Sequence, residues 1–170
     1  MRWIVLLALV GCSLSPGPAP RTGEENQLFG PVSMKLDTFS KVRDWNETGV
    51  PSGIEALIEF DDQFGDRTKA AGTVIFELYD YRQYWPDPRG PRLANPWTGS
   101  LSTYEQQKAH WETASGAYLF RLAYDHAMWN HAYVLDATFE SAGGTRFFSE
   151  IVLPGQKPEN RESTTSASIP

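Results

Sequence analysis

The stretch from Ile54 to Tyr81, IEALIEFDDQFGDRTKAAGTVIFELYDY, decides the fold. Two segments in it, 54–60 and 73–79, carry apolar side chains at every second position. This period of two is typical of a strand that buries one face. Between the segments, residues 61–66 read Asp-Asp-Gln-Phe-Gly-Asp, which are turn-forming residue types. The stretch therefore predicts two strands joined by a turn.

The same alternation recurs along the rest of the chain, at 32–36, 118–124, 133–139 and 147–153. Gly143-Gly144 separates the last two of these segments and predicts a tight hairpin turn, because glycine adopts positive φ freely. Strands separated by turns favour a mainly β fold. We expect a single antiparallel β-sandwich of about six to eight strands, with at most one or two short helices.

Residues 101–112, LSTYEQQKAHWE, depart from the strand pattern. Ser102 and Glu105 have the spacing of a capping box, and good helix formers follow them. We predict a short helix here. An extra edge strand that runs into Trp111 is the alternative.

The region around the deciding stretch resembles a known class of protein. A strand ends in acidic residues, a Gly-Asp turn follows, then Lys69, and Gly72 leads into the next strand. This arrangement resembles small bacterial lipoproteins that carry one immunoglobulin- or transthyretin-like sandwich. The resemblance covers residues 32–153, including the run at 118–122 and the Gly-Gly hairpin. It implies the fold and leaves the biochemical role open.

The N-terminus reads MRWIVLLALVGC. Arg2 precedes an uncharged apolar run, which is typical of a signal peptide and shorter than the roughly 20 residues that cross a bilayer. Leu9-Val10-Gly11-Cys12 resembles the bacterial lipobox, which implies cleavage before Cys12 and lipid on its sulfur. By analogy with enterobacterial sorting, Ser13 favours the outer membrane. The alternatives are an ordinary secretory signal and an apolar N-terminus that is not cleaved.

The chain divides into four parts on these grounds: a signal peptide at 1–11, a lipidated flexible linker at 12–31, the β-sandwich at 32–153 and a disordered tail at 154–170. The linker and the tail are rich in Pro, Gly and polar residues, which bury too little apolar surface to fold. Without Arg2, the mature chain has 14 Lys and Arg against 21 Asp and Glu, a net charge of −7. Nucleic-acid binding depends on neutralising phosphates, so we do not expect it.

The segment at 79–99, YDYRQYWPDPRGPRLANPWTG, is the predicted binding surface. It is rich in the Tyr, Trp and Arg that dominate binding hot spots, and its prolines lower the entropic cost of ordering. We expect a long loop that binds an envelope protein or, alternatively, a glycan or small ligand through Tyr84, Trp85 and Trp97. In a third interpretation, its aromatic side chains cover one end of the sandwich. The residues predicted to bind are Tyr81, Tyr84, Trp85, Arg89, Arg92 and Trp97.

Other chemistry is less well supported by the sequence. His126 and His131, with Asp125 beside them, suggest metal ligation and a metal-dependent enzyme as a remote alternative. The acidic residues of the 61–66 turn could offer oxygens to calcium as a second alternative, although they lack the spacing of a calcium loop. Carboxylate pairs such as Glu55 and Glu59 are interpreted as a solvated face. We therefore expect a lipid-anchored binding protein of the cell envelope, without enzymatic activity and without a metal or other cofactor.

The anchor gives the first testable prediction. Replacing Cys12 by Ser should abolish labelling with a radioactive or clickable fatty acid and should move the protein from the membrane fraction to the soluble fraction, because one thioether-linked lipid group holds it. Fractionation of cells that express the wild-type chain or the variant measures this. Retention of Cys12→Ser in washed membranes would contradict the lipobox interpretation.

Overall fold

The computed structural model describes residues 30–155. Within this range ten strands form two five-stranded antiparallel sheets that pack face to face, with one short α-helix. The β-sandwich expected from the sequence is therefore confirmed. The extra strands are short and lie mostly at sheet edges. The predicted signal peptide, most of the predicted linker with Cys12, and nearly all of the predicted tail lie outside the described residues.

The first sheet, sheet A, is built around its longest strand. The order is β1-β3-β8-β7, and β2 pairs with β3 along the same edge as β1. Its strands are β1 (Ser33–Leu36), β2 (Lys41–Arg43), β3 (Gly53–Asp61), β7 (Trp111–Glu112) and β8 (Ala117–Ala123).

The second sheet, sheet B, repeats this plan. The order is β10-β9-β4-β5, and β6 pairs with β4 along the same edge as β5. Its strands are β4 (Gly72–Tyr81), β5 (Arg89–Arg92), β6 (Trp97–Ser100), β9 (Tyr133–Ser141) and β10 (Arg146–Leu153).

The prediction of one long loop at 79–99 is wrong, because β4 continues to Tyr81 and two short strands follow it. Pro91 lies inside β5. Proline has no amide hydrogen to donate, so it is tolerated in an edge strand such as this one. Only residues 82–88 and 93–96 remain as connections.

The turn at 61–66 forms where the sequence predicts it, but it connects the two sheets. The Asp62 Oδ1 atom accepts hydrogen bonds from the backbone N–H groups of Phe64 and Asp66, at 2.9 and 3.0 Å. Gly65 has a φ of +83°, a conformation that a side chain disfavours. The chain then passes from the end of β3 to the start of β4. The first residue of β1, Ser33, pairs with Asp61 at this same end.

Alternate residues of the four central strands fill the space between the sheets. Aromatic rings meet there: the Phe60 and Phe139 ring centroids are 4.7 Å apart, and those of Phe76 and Phe120 are 5.1 Å apart. Burying each such ring contributes about 1.5–3 kcal/mol. The inward-facing residues are Ile54, Ala56, Ile58, Phe60, Val74, Phe76, Leu78, Tyr118, Phe120, Leu122, Tyr133, Leu135, Ala137 and Phe139.

Strand β3 is also covered on its outer face. Glu59, which the sequence interpretation placed on a solvated face, is only 5% exposed. The Lys35 Nζ and Arg67 Nη2 atoms lie 3.0 and 2.5 Å from its carboxylate. Burial raises the pKa of Glu59 even though the two cations oppose the shift. The solvated interpretation is wrong for Glu59, because side chains from β1 and from the β3–β4 connection fold over it.

The helix α1 (Tyr104–His110) forms as predicted, but its capping box is shifted by one residue. Thr103, not Ser102, is the N-cap, and its Oγ1 atom accepts a hydrogen bond from the Gln106 N–H at 3.3 Å. In return, Gln106 Oε1 accepts from the Thr103 N–H at 3.0 Å. Thr-x-x-Gln has the same spacing as the predicted pair. The edge strand that was the alternative also exists, since Trp111 starts β7 directly after the helix.

The Gly143-Gly144 hairpin is confirmed. It joins β9 to β10, and Gly144 has a φ of +83°. The Gly144 N–H donates to the Ser141 carbonyl oxygen at 2.9 Å.

We predict that Phe60→Ala lowers the free energy of unfolding by about 3–5 kcal/mol, because it leaves a cavity between the sheets. Phe148→Ala is the matched control on another strand, since its ring is 70% exposed. It should change the free energy of unfolding by no more than about 0.5 kcal/mol. Urea denaturation of both variants measures this, and equal losses would contradict the assignment of the core.

Candidate binding surface

Residues 82–88, here called the hairpin tip, connect β4 to β5. The Arg82 N–H donates to the Pro88 carbonyl oxygen at 2.8 Å and closes the hairpin. Gly90 follows in β5. A Cβ atom there would lie only 2.8 Å from the carbonyl oxygen of Asp80, so glycine allows the strands to come this close. The sequence thus builds a tight, narrow hairpin at the end of sheet B.

The hairpin tip exposes two large aromatic side chains. Tyr84 is 93% exposed and Trp85 is 65% exposed. The Arg82 guanidinium lies 5.5 Å from the centroid of the Trp85 ring, a cation–π geometry. Tyr84 has a φ of +67°, a conformation that is unfavourable for a bulky side chain and is often found at functional sites. The hairpin tip therefore holds aromatic surface in water at some cost in backbone strain.

Arg89 ties the hairpin to the inner strands of sheet B. Its guanidinium nitrogens lie 3.0 Å from Asp87 in the hairpin tip, 3.1 Å from Asp136 in β9 and 3.5 Å from Glu150 in β10. Hydrogen bonds to Asp87 and Asp136 hold the pKa of Arg89 above its ordinary value. Arg89, which the sequence predicts as a contact residue, therefore also positions the hairpin.

Three carboxylates form a row across the outer face of sheet B. Glu77 in β4 pairs with Asp136, which pairs with Glu150. Arg92 Nη1 lies 2.9 Å from Glu77, so Arg92 is also engaged within the sheet. Burial raises the pKa of Asp136, with Arg89 opposing the shift. The Asp136 Oδ1 atom is buried without a hydrogen-bond partner among the described residues.

The sequence interpretation did not find Asp136, and it attached no role to Glu150. In the sequence these carboxylates are visible only as separate polar positions within alternating strand patterns. Their convergence depends on the register between β4, β9 and β10, which an unaligned sequence does not contain. Exposed apolar side chains flank the row in the next paired positions: Ile75, Phe148 and Val152.

Trp97 lies apart from the hairpin tip. It pairs with Phe76, five residues before Tyr81, or roughly 17 Å along the strand. It is half-buried against the core, and its Nε1–H donates to the Ala123 carbonyl oxygen at 3.2 Å. Tyr81 is half-buried at the base of the hairpin and pairs with Arg89. Of the six predicted binding residues, the structure brings only Tyr84 and Trp85 together as an exposed aromatic pair.

The histidines have separate partners. His131 Nε2 lies 2.6 Å from Asp80 Oδ1, whereas the His126 ring packs edge-on against Tyr124 with 5.9 Å between centroids. His110 stacks on Phe120 at 4.2 Å. Within residues 30–155, no group of three His, Cys, Asp or Glu side chains is arranged to hold a metal ion. The metal-dependent alternative gains no ligand set from this part of the chain.

The carboxylates of the acidic turn contact other groups of the same domain. Asp62 caps the turn, as described above, and Asp61 forms an ion pair with Arg67. These contacts use two of the three acidic side chains of the 61–66 turn. The calcium alternative therefore has no further support here.

Comparison with protein-family models, with curated proteins and with solved structures gave no match for this chain. In the part of the chain that the structure describes, no helix is long and apolar enough to span a bilayer. The functional argument therefore depends on the residues and their geometry.

We predict that Arg89→Ala raises the pKa of Asp136 further, because it removes the cation that opposes the effect of burial. The carboxyl carbon chemical shift of Asp136, followed by NMR against pH, measures this. A carboxyl whose pKa is raised by folding contributes less stability as the pH rises through that pKa, so the variant should extend this loss to higher pH. Arg146→Ala, whose ion pair is with Glu140, is the control and should leave the pKa unchanged. An Asp136 pKa that stays the same or falls in Arg89→Ala would contradict the assignment.

Proposed function

We propose that this chain is a lipid-anchored binding component of the bacterial cell envelope, and that its hairpin tip docks against a partner protein. The observation that carries the proposal is the accessible pair Tyr84 and Trp85 on a hairpin that Arg89 ties to the sheet. Aromatic anchors of this kind dominate the energetics of protein interfaces.

The exposure of both rings supports a contact role. A Tyr or Trp side chain buries about 150–250 Å² when it is covered. In the isolated domain most of this area stays in water, so the free energy of burying it is not gained. The left-handed backbone at Tyr84 adds a cost on the order of 1–2 kcal/mol for a residue other than glycine. A partner that covers the rings would gain the free energy of burying them, and the strained backbone holds them in place for it.

The hairpin is organised before any partner arrives. Arg82 packs over Trp85, and Arg89 connects the hairpin tip to β9 and β10. Side chains already held in place lose less conformational entropy on association. This rigidity supports recognition of a defined surface.

The geometry favours a protein partner over a glycan. The glycan alternative relies on Tyr84, Trp85 and Trp97 as one stacking platform. Trp97 is half-buried and lies well away along β4, so the three rings do not share a surface. Two adjacent exposed rings fit the anchor of a protein interface better than an extended sugar platform.

The anchoring part of the proposal is supported by the sequence. The lipobox-like Leu9-Val10-Gly11-Cys12 precedes a Pro- and Gly-rich segment that leads to the domain. The domain is acidic, so anionic lipid headgroups would repel it weakly. Lipid on Cys12 would therefore provide the attachment.

Photo-crosslinking tests the docking surface. A benzophenone amino acid at position 84, in the full chain expressed in its native envelope, should give one discrete protein adduct. The same probe at position 39 is the control, because Phe39 is also a surface aromatic, 72% exposed. An adduct with lipid alone would indicate membrane insertion, and no adduct at position 84 would count against docking; either result would overturn the proposal.

The crosslinked partner, once purified, should bind the double variant Tyr84→Gly, Trp85→Ala at least about 30-fold more weakly, since hot-spot truncations cost about 2 kcal/mol or more. Glycine accepts the φ of position 84, so the free energy of unfolding should not fall. Phe39→Ala should bind like the wild type. Unchanged affinity in the double variant would place the interface elsewhere.

A further inference from the structure

A second surface feature lies at the other end of sheet B, where β4 begins. Helix α1 and residues 69–71 border an open cleft of about 510 Å³, here called the α1 cleft. Binding sites for small molecules have volumes of about 300–1,000 Å³. The cleft is lined by Lys69, Ala70, Ala71, Tyr104, Gln107, Lys108, Trp111 and Thr113.

The helix presents one continuous face to this cleft. Tyr104, Gln107, Lys108 and Trp111 follow the spacing i, i+3, i+4 and i+7, so they lie on the same side of α1 and its C-cap. None of the residues of α1 is buried. Tyr104 is 74% exposed and available to a ligand, whereas Trp111 is half-buried, with one side packed against the core.

Gln107 holds the wall of the cleft in place. Its Nε2 atom donates to the carbonyl oxygens of Ala70 and Leu101, at 2.7 and 2.6 Å. Its Oε1 atom accepts a hydrogen bond from the buried Tyr118 hydroxyl. The helix is thus tied to strand β8 and to the residues that precede β4 and follow β6.

The charge of the α1 cleft is opposite to that of the chain. Lys69 and Lys108 are the charged side chains in its lining, and no Asp or Glu lines it. Among the described residues, neither lysine forms an ion pair, and the Lys69 ammonium lies 4.7 Å from the Trp111 ring centroid. The whole chain has a net charge of −6. Two lysines without acidic partners in an acidic protein create a local site that attracts anions.

We infer that the α1 cleft binds a small organic anion with a flat apolar body. The carboxylate or phosphate group would lie between Lys69 and Lys108, and the apolar body would contact Tyr104 and Trp111. Lysine binds either group as a compact point charge. The cleft and the hairpin tip lie at opposite ends of β4, roughly 30 Å apart, so this site is independent of the proposed docking surface.

NMR titration of the full chain tests the inference with three probes that share one ring system: 1-naphthyl phosphate, 1-naphthoate and the neutral 1-naphthalenemethanol. The anions should shift the Trp111 indole and Gln107 side-chain amide signals and should bind about tenfold more tightly than the neutral probe. Binding of both anions would indicate a general anion site, and binding of the phosphate alone would identify a phosphate ester as the ligand class. Either result supports the inference.

The double variant Lys69→Gln, Lys108→Gln should lose this preference for anions and keep the affinity for the neutral probe. Lys41→Gln, Arg121→Gln removes the same charge elsewhere and is the matched control. Raising the salt concentration should also weaken anion binding to the wild-type chain, a result that needs no variant. Equal affinity for all three probes, shifts confined to other residues, or insensitivity to both salt and the lysines would overturn the inference.

Discussion

The contact between Phe60 and Phe139, with that between Phe76 and Phe120, joins the two sheets through their side chains. No disulfide within the chain can link the two sheets, because Cys12 is its only cysteine. Two hydrogen bonds cross between the sheets at opposite edges, one from the Leu36 N–H to Ser149 Oγ and one from the Trp97 indole to Ala123. Both the hairpin tip and the α1 cleft depend on this packing, because each uses residues at an end of β4.

The long strands could be predicted because burial of one face leaves a period of two in the sequence. The Gly-Gly hairpin could be predicted because its backbone needs positive φ. Strands β5 and β6 could not be predicted, because these short polar segments, with Pro91 and Gly99, carry no period of two. They become strands only because β4 has a free edge with which they can pair. The helix cap was misplaced because Ser102 and Thr103 both begin an acceptable capping box.

The candidate surfaces were predictable in residue type but not in arrangement. Tyr84 and Trp85 are unusual enough in composition to be noticed in the sequence. The ion pairs of Arg89 with Asp136 and Glu150 depend on cross-strand register, which joins residues far apart in the chain. For the same reason the α1 cleft escaped notice, because its lysines come from the β3–β4 connection and from the helix.

The first strand starts at one end of the domain, and the hairpin tip lies at the other end. Ser33, where the first strand starts, pairs with Asp61 at the end of the sandwich where β4 begins, whereas the hairpin tip follows Tyr81 at the far end of β4. A segment attached ahead of Ser33 would therefore join the domain at the end opposite the hairpin tip, roughly 30 Å from it, and would leave the aromatic tip uncovered.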